Sequence, residues 1–155
     1  MNKKPQNSGP IKAVRVIHIG ILGSTLILGG FIFLLVYRNY DALDINDPLT
    51  YIPLVAAVVL IPLANYLFNK SLRSRNQEDD LKSQLLTYQS AHIKRIALIE
   101  ALGFISAIVS LVSNTLENYV IFVLCIAYLI VLFPTSTKIA ERLELSQSER
   151  LQLEN

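Results

Sequence analysis

The sequence predicts an all-α protein, a polytopic membrane four-helix bundle with a cytoplasmic helical extension and short C-terminal helices. Three observations predict it. Hydrophobic residues make up 52% of the 155 residues, and the mean hydropathy is +0.44, more apolar than a soluble domain of this length averages. The apolar residues gather into four runs, each close to the ~20 helical residues that cross ~30 Å of hydrocarbon. Every Lys and Arg except Arg38 lies in the N-terminal segment, the connection between runs two and three, or the C-terminal tail. The runs do not alternate polar and apolar residues, which argues against the strands of a membrane barrel.

The first run spans Val16 to Tyr37, behind the basic segment "MNKKPQNSGPIKAVRV". It is longer than a signal-peptide core and ends in "YRNYD" with no small-residue cleavage pattern, so it reads as an uncleaved span. The second spans Pro48 to Phe68 and contains Pro53 and Pro62, which shape it. The third spans Ile96 to Ser113, interrupted only by Glu100. The fourth spans Tyr119 to Phe133, before Pro134. The positive-inside rule places both termini in the cytoplasm. The other side then holds "DALDIND" and "SNTLEN", with Tyr37, Tyr40, Tyr51 and Tyr119 at the outer span ends as an aromatic belt.

Asp79 and Asp80 mark a helix start, and Leu81, Leu85, Tyr88 and His92 follow at helical spacing. The third helix is therefore expected to begin near 80 in the cytosol and run into the membrane. Residues 1–137 form the membrane domain and 138–155 a cytoplasmic helical tail. In the tail, Ile139 and Leu143 share a face and "SQSE", Ser146 to Glu149, fits a capping box. The tail's apolar face has two possible seats: the extension of helix three, or the membrane surface.

Glu100 stands on a small or polar stripe of the third span: Glu100, Gly103, Ala107, Ser110, Asn114. Small residues let helices approach in lipid, so this stripe is the packing face. Arg15, His18, Leu22, Thr25 and Gly29 form a matching stripe on the first span. Matched depth suggests one intramembrane polar layer of Glu100, Arg15, His18 and Asn65. A charge in the membrane is costly and usually paired. The layer reads either as a structural clamp, Glu100 with Arg15 or Lys12, or as a proton- or cation-handling site built on Glu100 and His18.

Other chemistry finds little support. The single cysteine, Cys125, sits in an apolar run and has no partner for a disulfide or a metal motif. His18 and His92 raise bis-histidine haem, but His92 precedes Lys94 and Arg95 and so falls outside the hydrocarbon. No nucleophile elbow, phosphate loop or metal motif appears, so no catalytic, cofactor-binding or metal residues are assigned and no cofactor is expected. A net charge of +2 gives no argument for nucleic acid.

"AHIKRIALIEALGF" and "PTSTKIAERLELSQSE" resemble a loosely defined group of small, uncharacterised four-helix bacterial inner-membrane proteins. The resemblance implies the four-span fold and an inner-membrane location, and carries no activity with it. Gly20, Gly23, Ser24, Gly29 and Gly30 exceed what one packing seam needs. The expected role is thus a non-enzymatic subunit or regulator acting through helix contacts in the bilayer, as a homo-oligomer or with a membrane-protein partner. The alternative is a small oligomeric transporter or ion-coupled exporter using Glu100.

Overall fold

The computed structural model describes residues 8–38, 47–75 and 80–154. Lys3, Lys4, Tyr40, Asp41, Asp44 and Asp79 lie outside the described residues. Within the described residues six α-helices follow one another: α1 Ser8–Arg38, α2 Ile52–Arg73, α3 Leu81–Ser113, α4 Leu116–Val131, α5 Ser136–Arg142 and α6 Gln147–Glu154. A 3₁₀ turn, Pro48–Tyr51, leads into α2. No strand occurs among the described residues. Among the described residues three helices are long and apolar enough to cross a membrane, or four spans result if α4 and α5, which meet at an 83° bend, count as one broken span. Such a set is consistent with a multi-pass membrane protein.

Each boundary has a local cause. Helix α1 starts well before Val16, and Pro10 falls in its first turn, where no N–H is required. Asp47 caps the 3₁₀ turn by accepting from the Leu49 N–H at 2.9 Å. Helix α2 runs on through Pro62. Asp80 caps α3, its Oδ1 accepting from the Ser83 N–H at 3.2 Å. Helix α3 ends where Asn114 takes a left-handed conformation, φ 51°, a role that asparagine fills at lower cost than most residues. At ~1.5 Å per residue, the 33 residues of α3 span roughly 50 Å, well beyond a ~30 Å hydrocarbon core.

Helix α3 is the hub: α1, α2 and α4 all pack on it, α1 also touches α4, and α2 meets α4 only slightly. One end of the bundle gathers the start of α1, the end of α2, the start of α3 and the tail; it is called the basic end below. There Ile139, Ala140, Leu143 and Leu145 are buried against Leu81, Leu85, Tyr88 and Ala91 of α3, Phe68 and Leu72 of α2, and Ile11 of α1. The tail's apolar face is thus seated on the α3 extension. Burying each of these Leu and Ile side chains contributes about 1.5–3 kcal/mol if that end is in water.

Two caps shape the tail. Glu144 takes φ 54° after α5, with its N–H bonded to the Glu141 carbonyl and that of Leu145 to the Ala140 carbonyl, a Schellman pattern. The Ser146 N–H and hydroxyl both donate to Glu149 Oε2, at 2.8 and 2.6 Å. The hydroxyl bond above all holds the Glu149 carboxyl below its usual range. A lowered folded-state value makes this cap complete above the ordinary carboxylate range. Its contribution is lost as pH falls through Glu149's own, lower value.

The aromatic-belt expectation needs one correction. Tyr37 and Tyr51 are exposed, but Tyr119 is buried, and its hydroxyl donates to the Gly29 carbonyl at 2.6 Å. Its ring also tilts against Phe33 and Phe122. It belongs to the seam between α1 and α4.

Candidate functional site at the end of the fourth helix

Pro134 lies just past α4, which stops at Val131. The last carbonyls of a helix have no partner within it, and near hydrocarbon they need donors from elsewhere. Side chains from α1 and α5 supply them. His18 Nε2 lies 3.0 Å from the Leu129 carbonyl. Lys138 Nζ donates to the carbonyls of Val131, at 2.7 Å, and Phe133, at 3.5 Å. Arg15 Nε donates to the Pro134 carbonyl at 3.1 Å, and its Nη2 to the Ser136 hydroxyl at 2.9 Å. Cationic donors suit this place, because a helix C-terminus carries partial negative charge.

Behind this junction the two histidines meet. His18 Nδ1 and His92 Nε2 are 3.0 Å apart, and both residues are buried. The Leu129 carbonyl can only accept, so His18 Nε2 carries a hydrogen. With both rings neutral, His18 Nδ1 accepts and His92 Nε2 donates. Tyr88 stacks on His92 at an interplanar angle of 11°, while Phe68 and Phe133 meet the pair edge-on. His92 sits on the packing face that Leu81, Leu85 and Tyr88 announce. The sequence raised His18 and His92 together only as haem ligands, and helical spacing gave no sign of a direct bond between residues 74 positions apart.

The four residues expected in one polar layer have different partners. Arg15 and His18 reach α4 and His92, as described. Asn65 Oδ1 accepts from Arg95 Nη2 and from the Tyr128 hydroxyl, the latter at 3.1 Å, and its Nδ2 donates to the Ile61 carbonyl. Arg95 also donates to Tyr128 and lies over the Phe68 ring, 4.8 Å from its centroid. Half-buried Glu100 faces α1, where the Thr25 hydroxyl is 3.0 Å from its Oε1. That hydroxyl is also 2.7 Å from the Ile21 carbonyl and has one hydrogen for both acceptors. No Lys or Arg among the described residues makes an ion pair with Glu100. Arg15 goes instead to the turn after α4, where the Pro134 carbonyl and the Ser136 hydroxyl accept from it. Pro134 after an apolar run was the available clue.

The packing stripe of α3 takes its place against α4. Gly103, Ala107 and Ser110 are all buried, and a Cβ on Gly103 would meet the Phe122 ring at 3.4 Å. Ser110 donates to the Thr115 carbonyl across the turn. Helix α1 contributes Gly29, where a Cβ would stand 2.1 Å from Phe122. No group of three or more His, Cys, Asp or Glu side chains poised to hold a metal occurs among the described residues. Cys125 is buried without a disulfide partner. No family model, curated protein or solved structure matches the chain.

Proposed function

We propose that this chain is a non-enzymatic integral membrane protein acting as a subunit or regulator through contacts made by its helices. One observation carries the reading: α1 has a second seam that none of the described residues fills. A Cβ on Gly20, Gly23 or Gly30 would have no neighbour within 4 Å. Val16, Ile27, Phe31 and Leu34 lie on the same side of the helix and are exposed. Glycines on an open helix face permit close approach of a further helix in lipid. The intended test is purification in mild detergent followed by mass measurement of the complex. A second copy or a protein partner should be retained, and Gly23→Leu should release it without lowering the melting temperature. A strictly monomeric, partner-free protein would overturn the reading.

The orientation belongs to the same proposal, with the basic end in the cytoplasm and the chain in a bacterial inner membrane. The distribution of Lys and Arg supports it. Cysteines at Glu117 and Gln147, both exposed, report the two sides in a Cys125→Ala background. An impermeant reagent added to intact cells should label the first only. Asn118 would be a poor reporter, because it is buried.

A second reading is favoured because no Lys or Arg among the described residues pairs with Glu100. A half-buried carboxylate held by one hydroxyl could couple proton or cation movement in an oligomer. Glu100→Gln removes the charge and keeps the shape. Equal ion flux through proteoliposomes of wild type and Glu100→Gln would eliminate this reading.

A further inference from the structure

We propose that the cavity at the basic end, bounded by α2, α3, α4 and α5, binds a phosphate-bearing anion. Its position favours the headgroup of an anionic phospholipid over a free phosphate. The cavity has a volume of about 360 Å³. Three cations line it from two elements: Arg95 on α3, and Lys138 and Arg142 on α5. None of them pairs with a carboxylate among the described residues. The bonds of Arg95 go to neutral oxygens of Asn65 and Tyr128, and those of Lys138 go to carbonyls. Glu141 also lines the cavity and offsets one of the three charges, which leaves an excess suited to an anion.

The walls strengthen the case. Phe68, Tyr88 and Tyr128 line the cavity and lower the local polarity, which raises the strength of any charge interaction inside it. Arg75 braces the backbone beneath Arg142 by donating to the Arg142 carbonyl at 3.3 Å and to the Leu143 carbonyl. The cavity also has an apolar side. Val131 and Leu132, at the end of α4, line it, and Val131 is 64% exposed. Helices α2 and α4 meet only slightly and are joined here by the Asn65–Tyr128 bond, so the exposed Val131 beside the cavity is the apolar surface on which a headgroup's acyl chains would lie. Basic pockets between membrane helices at the interface are suited to anionic headgroups. Charge-assisted hydrogen bonds to phosphate oxygens would supply the recognition.

The inference rests on the membrane reading but not on the seam of α1, so the two can fail separately. The test uses full-length protein in detergent micelles with dioctanoyl phosphatidylglycerol, dioctanoyl phosphatidylcholine or inorganic phosphate added, and thermal unfolding as readout. Phosphatidylglycerol should raise the melting temperature saturably, and phosphatidylcholine should not. Arg142→Gln and Lys138→Gln should each weaken the half-saturating concentration by at least about five-fold, the loss of one charge-assisted bond. Lys94→Gln removes an exposed charge that lines a different cavity, and it should leave the titration unchanged. If a variant unfolds, native mass spectrometry of the other reports the lipid retained. An equal effect of inorganic phosphate would keep the anion site and assign it a free ligand. Equal effects of the two lipids, or equal weakening by Lys94→Gln, would overturn the proposal.

Discussion

Helix α1 has two faces, and they differ in what their residues touch far more than in overall hydropathy. The inward face, Ile11, Val14, His18, Thr25, Gly29, Ile32 and Val36, is buried throughout. The outward face, Val16, Gly20, Ile27, Gly30, Phe31 and Leu34, is exposed. Both are largely apolar and both carry glycine. Inside, Gly29 lets α4 approach until Phe122 and Tyr119 rest on the backbone. Outside, Gly20 and Gly30 face open space. In a bilayer the solvent is itself apolar, so hydropathy cannot tell a packed face from a lipid-facing one. What distinguishes the inner face is polar groups with partners and glycines with neighbours.

The sharpest way to break this contrast is to fill the inner glycine. Gly29→Leu should abolish the folded state in detergent. The milder Gly29→Ala should cost about 1–3 kcal/mol through overpacking. Adding Phe122→Leu to Gly29→Ala should restore part of that loss, and no restoration would mean the seam is not where the strain arises. His92→Ala comes next. It leaves His18 Nδ1 buried without its donor, at a cost of about 1–3 kcal/mol. A double-mutant cycle with His18→Ala on thermal stability should show positive coupling, and a coupling of zero would deny the bond.

Smaller effects separate neighbours on the two faces. Thr25→Val keeps the shape and removes the hydroxyl that Glu100 and the Ile21 carbonyl share, and should cost about 0.5–1.5 kcal/mol. Ser24→Ala, one residue along, removes an exposed hydroxyl bonded only to the Ile21 carbonyl in its own helix, and should lie within about 0.5 kcal/mol of zero. Equal melting shifts for the two would erase the inside–outside distinction. The smallest stability effect should come from Gly23→Leu, again within about 0.5 kcal/mol, even as association is lost. A large loss of stability there would place the outer seam inside the fold instead.

Much of the architecture was legible because it depends on local pattern. Hydropathy and run length mark helices that can cross a membrane, and Asp80 and "SQSE" mark helix starts by capping chemistry that acts within one turn. The small-residue stripe of Gly103, Ala107 and Ser110 could be read as a packing face because helical spacing alone puts those residues side by side. Ends were less legible. Helix α1 begins at Ser8 rather than near Val16, because hydropathy reports where lipid could start and not where hydrogen bonding does.

Partners were decided by the tertiary structure. Arg15 and Glu100 were matched by depth along their helices, yet depth leaves the rotation and the competing acceptors open. Where α4 gives way to the Pro134 turn, the Leu129 and Pro134 carbonyls lie beside α1, and they take the donors of His18 and Arg15. Glu100 is left with Thr25, and Asn65 with Arg95. His92 finds His18 because α3 carries it to that same terminus. The sequence by itself determined the helices, the concentration of basic charge at one end of the bundle and the small-residue face of α3. Which polar groups meet was decided by the packing of α1, α3 and α4, since a buried hydrogen bond depends on angstrom-scale placement that helical periodicity does not encode.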